Sequence, residues 1–222
     1  MKKGDLLWGF ALLIWILLLV IPVTRSATIT ASDAHPYIAG FIKFAILATM
    51  GDLLGIRIRH NKWIVPKGII YRAVVWGIIG LMVTLVFTVY MGGVGAAQAS
   101  GRLPFEGSVL AQAFFGSAIM NVTFGPMMMV FHRFTDMFID TKYEKNEGPV
   151  TLRELIGKID WNSLVEFTWL KCCPFFWIPA HTIVFLLPAE YRVLVSAFLS
   201  IALGILLAIA NKEKLAKVVI AA

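Results

Sequence analysis

Apolar residues in this chain gather in long unbroken runs, and six of the runs reach the roughly 20 residues a helix needs to cross a hydrocarbon core. They lie near residues 6–23, 37–56, 68–90, 107–131, 163–187 and 191–210. The runs are continuous, without the period-two alternation of a transmembrane β-barrel. The pattern predicts an all-α, polytopic integral membrane helical bundle with about six transmembrane helices. It forms a single transmembrane domain over residues 1–222, with a connector at 132–162.

Two features of the connector carry helical signals. Phe131, Phe134 and Phe138 keep helical spacing, with His132, Arg133, Asp136 and Asp140 between or beyond them, so the fourth helix is expected to continue past the bilayer. Thr151 and Glu154 are spaced as a capping box. The stripe Leu152, Leu155, Ile156 and Ile159 that follows suits a helix lying at the membrane surface, or a plain amphipathic connector.

Composition agrees with the bilayer as solvent. The 222 residues are 59% hydrophobic and 15% charged with a mean hydropathy of +0.81, against about 45–50% apolar and about 25% charged in soluble domains. The net charge of +7 admits nucleic acid as a partner until the 20 Lys and Arg residues are placed. With the N-terminus inside, the inner side receives Lys2, Lys3, Arg57, Arg59, Lys62, Lys67, Arg72, Arg133, Lys142, Lys145, Arg153, Lys158, Lys212, Lys214 and Lys217. The outer side receives Arg25, Arg102 and Arg192, and Lys43 and Lys171 lie inside runs. That asymmetry predicts an N-in/C-in topology and makes nucleic acid an unneeded partner. The first run also has a competing reading as a cleaved signal peptide, with small residues at Ser26, Ala27 and Ala31. Its length and Arg25 favour a retained helix.

Small residues at i, i+4 spacing allow close helix approach in lipid. The ladders are Gly80, Thr84 and Thr88; Ala113, Ser117, Asn121 and Gly125; and Ser196, Ser200, Gly204 and Ala208. A shorter one, Ala48 with Gly51 and Gly55, is interrupted by Leu47. The fifth run contains Pro174 and Pro179, which predict a kink or break used either as a hinge or pore lining or simply as a packing irregularity.

Charges inside spans are costly and are by default candidates for function. Asp52, Arg72, Glu166 and Lys171 fall near the cytoplasmic ends of their helices, and two of each sign suggest mutual pairing. They read either as structural or snorkelling groups or as a charged vestibule for solutes. Lys43, in the outer half of its helix, reads as a pore-lining group or as one snorkelling outward. His181 shares a helical face with Glu166, Cys173 and Trp177 if that helix is straight, and Asn121 is placed to bond across helices. Cys172 and Cys173 are adjacent and cannot staple the fold. No H-E-x-x-H, phosphate loop or G-x-S-x-G occurs, and His35, His60, His132 and His181 are too scattered for a metal site, so no cofactor, metal or catalytic residue is indicated.

Several motifs together resemble the Mpv-seventeen and peroxisomal-membrane-protein family. Asp160-Trp161 opens the relevant segment, Trp177-Ile178-Pro179 resembles the family's Trp-Pro step, and Pro188 to Arg192 matches its proline-to-arginine spacing. Upstream, Gly51-Asp52 resembles its early Gly-Asp, and Gly125-Pro126, Phe131 and Asp136 its Gly-Pro, aromatic and aspartate. Ile178 separates the Trp-Pro pair, and Met129 stands where the family usually has His. The resemblance implies a channel-like membrane protein, here of a bacterial type in the cytoplasmic membrane, although the family usually has four spans. The expected function is thus a channel or small-solute pathway whose partners are the lipid bilayer and small solutes or ions, with a homo-oligomer also compatible. A non-transporting structural or assembly protein and a lipid-acting enzyme are the alternatives.

Overall fold

The structure, a computed structural model, describes residues 3–144 and 148–220, with side chains described as far as residue 205. Lys2, Lys145 and the side chains of Ala208, Lys212, Lys214 and Lys217 therefore lie outside the described residues. The described chain is all helix: α1 (Lys3–Val20), α2 (Pro22–Ala34), α3 (Pro36–His60), α4 (Ile69–Ala99), α5 (Val109–Glu144), α6 (Leu152–Lys158), a π-helix (Ser163–Trp177), α7 (Ile178–Leu186) and α8 (Ala189–Ile220). Five spans among the described residues are long and apolar enough to cross a membrane: α1, α3, α4, α5 and the combined π-helix and α7. The chain is an integral membrane helical bundle.

The first run does not continue to Val23. Pro22 cannot donate to the Leu18 carbonyl, which ends α1. The Thr24 hydroxyl donates to that carbonyl at 3.2 Å and to the Ile21 carbonyl at 3.1 Å. The polar stretch that follows folds as α2, with Thr24, Thr28 and Ser32 one turn apart on its half-buried side. His35 ends α2 and precedes Pro36, the first residue of α3.

α3 is the axis of the bundle. It runs antiparallel to α4, with Gly40 against Gly80 and Thr84. It runs parallel to α8, with Gly51 against Ser200 and Gly55 against Gly204. A Cβ on Gly204 would stand 2.9 Å from the Gly51 carbonyl oxygen, and one on Gly51 would stand 3.0 Å from the Ser200 carbonyl. The small-residue ladders of these two helices are thus a backbone-to-backbone seam. Leu47 does not weaken the seam, because it is fully buried in a core with Phe44, Ile79, Val83, Phe87, Val184, Phe185 and Leu194. α5 closes the other side against α4 and α7.

α1 is peripheral, with no buried residue. Its start is tied to the end of α3 and the following linker: Asp5 accepts from Arg57 at 2.9 Å and from Trp63 at 2.8 Å, and Trp8 donates to the Met50 carbonyl at 3.0 Å. At the same end, α5 continues without a break to Glu144, as the Phe131–Phe138 spacing predicts. Thr151 caps α6 by accepting from the Glu154 N–H at 3.3 Å. The α6 stripe is split, since Leu155 and Ile159 are buried while Leu152 and Ile156 remain exposed.

The fifth run is where helical geometry departs most from expectation. Residues 163–177 bond i→i+5 as a π-helix through Pro174, and Pro179 sits in the first turn of α7. The predicted break is therefore a change of helix type at Trp177. Such wide turns are usually single and lie at functional sites.

Candidate functional site

Three helices bring a polar constellation together at one end of the bundle. α3 supplies Asp52. α4 supplies Arg72 and Trp76, one turn apart on the same face. α5 supplies His132, Asp136 and Asp140, at successive i, i+4 positions. The Trp76 indole N–H donates to Asp52 Oδ2 at 2.7 Å. The His132 ring lies against the Trp76 ring with centroids 4.2 Å apart, and its Nδ1 is 3.6 Å from Asp136 Oδ2. Arg72 donates from Nη1 to Asp136 Oδ1 at 2.8 Å and from Nη2 to Asp140 Oδ1. Its Nε is buried without a hydrogen-bond partner.

The electrostatics of this constellation are graded. Asp140 is half exposed at 52%, Asp136 is 20% exposed and Arg72 13% exposed, so the groups lead from solvent into the bundle wall. Two carboxylates share one guanidinium, and His132 lies against both Trp76 and Asp136. A charged group at this depth needs partners, because an unpaired one costs several kcal/mol, about 2.5–3.5 on insertion scales. The described residues hold no group of three or more His, Cys, Asp or Glu arranged for a metal ion.

The sequence-predicted charges are therefore distributed unequally. Asp52 and Arg72 do share one site, yet Arg72 pairs with Asp136 and Asp140 of α5. Glu166 and Lys171 stand exposed on the π-helix and take no part in it. The mutual pairing expected of those four charges is corrected accordingly. It was inferred from depth along straight α-helices, and the i→i+5 turn places residues 166 and 171 away from the bundle. Trp76, His132, Asp136 and Asp140 complete the site, and their signal is legible as Arg72/Trp76 and His132/Asp136/Asp140 at one-turn spacing.

Lys43 lies at the opposite end and is 6% exposed. Its side chain is held inside the bundle, so it does not snorkel outward. Its ammonium donates to the Ser32 hydroxyl at 2.8 Å, and that hydroxyl donates to the Thr28 carbonyl at 2.7 Å. α2 thus covers the one cation buried in α3.

A second polar group joins α5 to α7 deeper in the bundle. Ser117 donates to the Ile178 carbonyl at 2.7 Å, Asn121 meets His181 Nδ1 at 3.1 Å through its amide nitrogen, and Cys173 donates to the Asn121 carbonyl at 3.0 Å. Trp177 stacks on His181 with centroids 5.2 Å apart. Beside them lies a cavity of ≈ 30 Å³, lined by Gly125, Pro126, Met129, Thr168, Trp169 and Trp177 among others. It has room for about one water. The remaining motif residues fall at helix junctions: Gly51 lies in the α3–α8 seam, and Pro188 opens the turn in which Arg192 donates to the Leu187 carbonyl at 2.9 Å.

Comparison with protein-family models, with curated proteins and with solved structures finds no match for this chain.

Proposed function

We propose that this protein is a gated pathway for ions or small solutes across a bacterial cytoplasmic membrane, with six spans and both termini inside. The observation that carries this reading is the continuous polar constellation from Asp140 to Asp52, spanning three helices of a bundle whose buried residues are mostly apolar. Soluble-protein stability does not call for such a group in lipid, and intramembrane acids, histidines and arginines typically mark ion or substrate routes. The inner end is closed by Arg72 across α4 and α5, and the outer end by α2 over Lys43. The contacts of Asp5 and Trp8 support a retained α1, and α8, parallel to α3, supplies the sixth span. The motif resemblance to the Mpv-seventeen and peroxisomal-membrane-protein family points to the same channel-like class.

Purified protein in liposomes tests the reading. We expect conductance or solute flux that Arg72→Gln alters, and the reading is abandoned if no flux appears over a range of voltage, pH and solute size.

One observation favours a second reading, a non-transporting assembly protein: Arg72 and Lys43 both find partners within the chain. On that reading, exchanging Arg72 and Asp136 restores a folded, fully functional protein, and no flux is seen with either arrangement.

A further inference from the structure

Two charges of the fifth span belong to neither polar group of the bundle. Glu166 and Lys171 are exposed on the π-helix, and neither has a hydrogen-bond or ion-pair partner among the described residues. The other charges singled out inside apolar runs are all compensated: Asp52 by Trp76, Arg72 by Asp136 and Asp140, and Lys43 by Ser32. An uncompensated charge on a lipid-facing surface is costly, and such residues as a rule face protein or water instead. Glu166 and Lys171 lack a cover of the kind the other three have.

The geometry of the helix gathers the two charges onto one stripe. With i→i+5 bonding, residues four and five apart are neighbours on one face, so Glu166, Leu170, Lys171 and Phe175 stand side by side. All four are exposed, Leu170 at 64% and Phe175 at 81%. The opposite face is the packed one, where Leu164 and Cys173 are buried and Cys173 donates to the Asn121 carbonyl of α5. The stripe thus carries one acid and one base, a single turn apart, among large apolar side chains. An apolar stripe in a bilayer calls for nothing but lipid; the two opposite charges make this one complementary to itself.

We propose that this stripe is a homodimer interface within the membrane, in which Glu166 of each protomer pairs with Lys171 of its partner. Two copies inserted in the same orientation are related by a two-fold axis along the bilayer normal. Such an interface is isologous, so both pairs form at once. The offset of five positions is one turn of the π-helix, and the flexible four-carbon stem of lysine spans it. Parallel helix pairs use the same device where charges flanking an apolar seam pair across it. Leu170 and Phe175 supply the seam here, and away from water the charge pairs are little screened by salt. The interface stands whether or not the bundle conducts.

Charge reversal tests the interface on the full chain. Donor and acceptor fluorescent fusions are co-expressed at graded levels in cell membranes, where all copies insert the same way, and energy transfer reports association. Wild-type chains should show transfer set by the ratio of acceptor to donor. Transfer that follows only total density means a monomer and overturns the interface, leaving both charges to lipid headgroups. Glu166→Lys alone and Lys171→Glu alone each set like charges across the axis, and each should weaken association by about 10-fold or more, the scale of two polar contacts between membrane helices. A Glu166→Lys chain and a Lys171→Glu chain are complementary to each other, so their mixture should associate as wild type does. Reversals without effect, or a mixture no better than either variant alone, overturn the pairing. Both side chains are exposed, so the fold should tolerate these changes. If a reversal does not fold, Glu166→Gln combined with Lys171→Gln, uncharged and close in size, must weaken association, and unchanged association overturns the proposal.

Discussion

Arg72 holds two carboxylates of one helix, and they are not equivalent. Asp136 is largely covered and also borders His132, while Asp140 is half in solvent. Asp136→Asn is expected to lower stability by about 1.5–3 kcal/mol, the scale of a hydrogen bond to a charged group. Asp140→Asn should cost less than about 1 kcal/mol, because an exposed pair is screened. Denaturant unfolding in detergent micelles separates the two, and equal losses would remove the gradient of burial on which the site description rests. Lys43 offers a second residue-scale test. Ser32→Ala takes away its hydroxyl acceptor and should destabilise by about 1–3 kcal/mol, whereas Lys43→Met, which removes the charge with little change of volume, should be near neutral or stabilising. Its depth was readable from the sequence. Its partner was not, because Ser32 belongs to a stretch in which Thr, Ser and Asp, weak helix formers, alternate with Ala and no long apolar run marks a helix. That stretch becomes helical between the proline that ends α1 and the one that starts α3.

At the scale of elements, the sequence pattern located the starts of the long helices to within three residues, because each begins with the apolar length that lipid demands, whereas α4, α5 and α8 run nine or more residues past the ends of their apolar runs. It failed where geometry within a helix mattered. No local signal separates a π-helix from an α-helix over residues 163–177, and the face assignments for Glu166, Cys173 and Trp177 depend on that difference. The α3–α8 seam, in contrast, was half visible in its glycines. Gly204→Leu or Gly51→Leu sets a side chain against the partner backbone, which cannot swing aside, and should cost about 1–3 kcal/mol or more. Gly92→Ala serves as the control. Gly92 lies inside α4 with open space around its missing Cβ, so alanine should be neutral or stabilise by about 0.5–1 kcal/mol. Thermal unfolding in one detergent checks both, and a stable Gly204→Leu protein would mean that α3 and α8 are not packed as described.

At the scale of the whole molecule, the two ends of the bundle should face opposite solutions. In a protein cleared of Cys172 and Cys173, a single cysteine at Ser100, in the turn after α4, should react with an impermeant thiol reagent added outside intact cells. One at Asn61, in the linker after α3, should react only after the cells are opened. Labelling of both from the same side would refute the N-in/C-in topology. The Lys and Arg distribution already indicated this division. The three-helix site was hidden from it, because its members lie far apart in the chain and only the antiparallel packing of α3 on α4, and of α4 on α5, brings them together.

The α3–α8 seam also has a consequence for biogenesis. α3 is made early and α8 last, so while α4, α5 and α7 are synthesised the glycine face of α3 has no partner to cover it. The nascent chain must therefore hold an open groove beside Asp52 until Ala189 and the residues after it leave the ribosome. A chain truncated at Pro188 should insert into the membrane yet remain sensitive to protease. Protection should appear only when the last helix is supplied, even as a separate polypeptide.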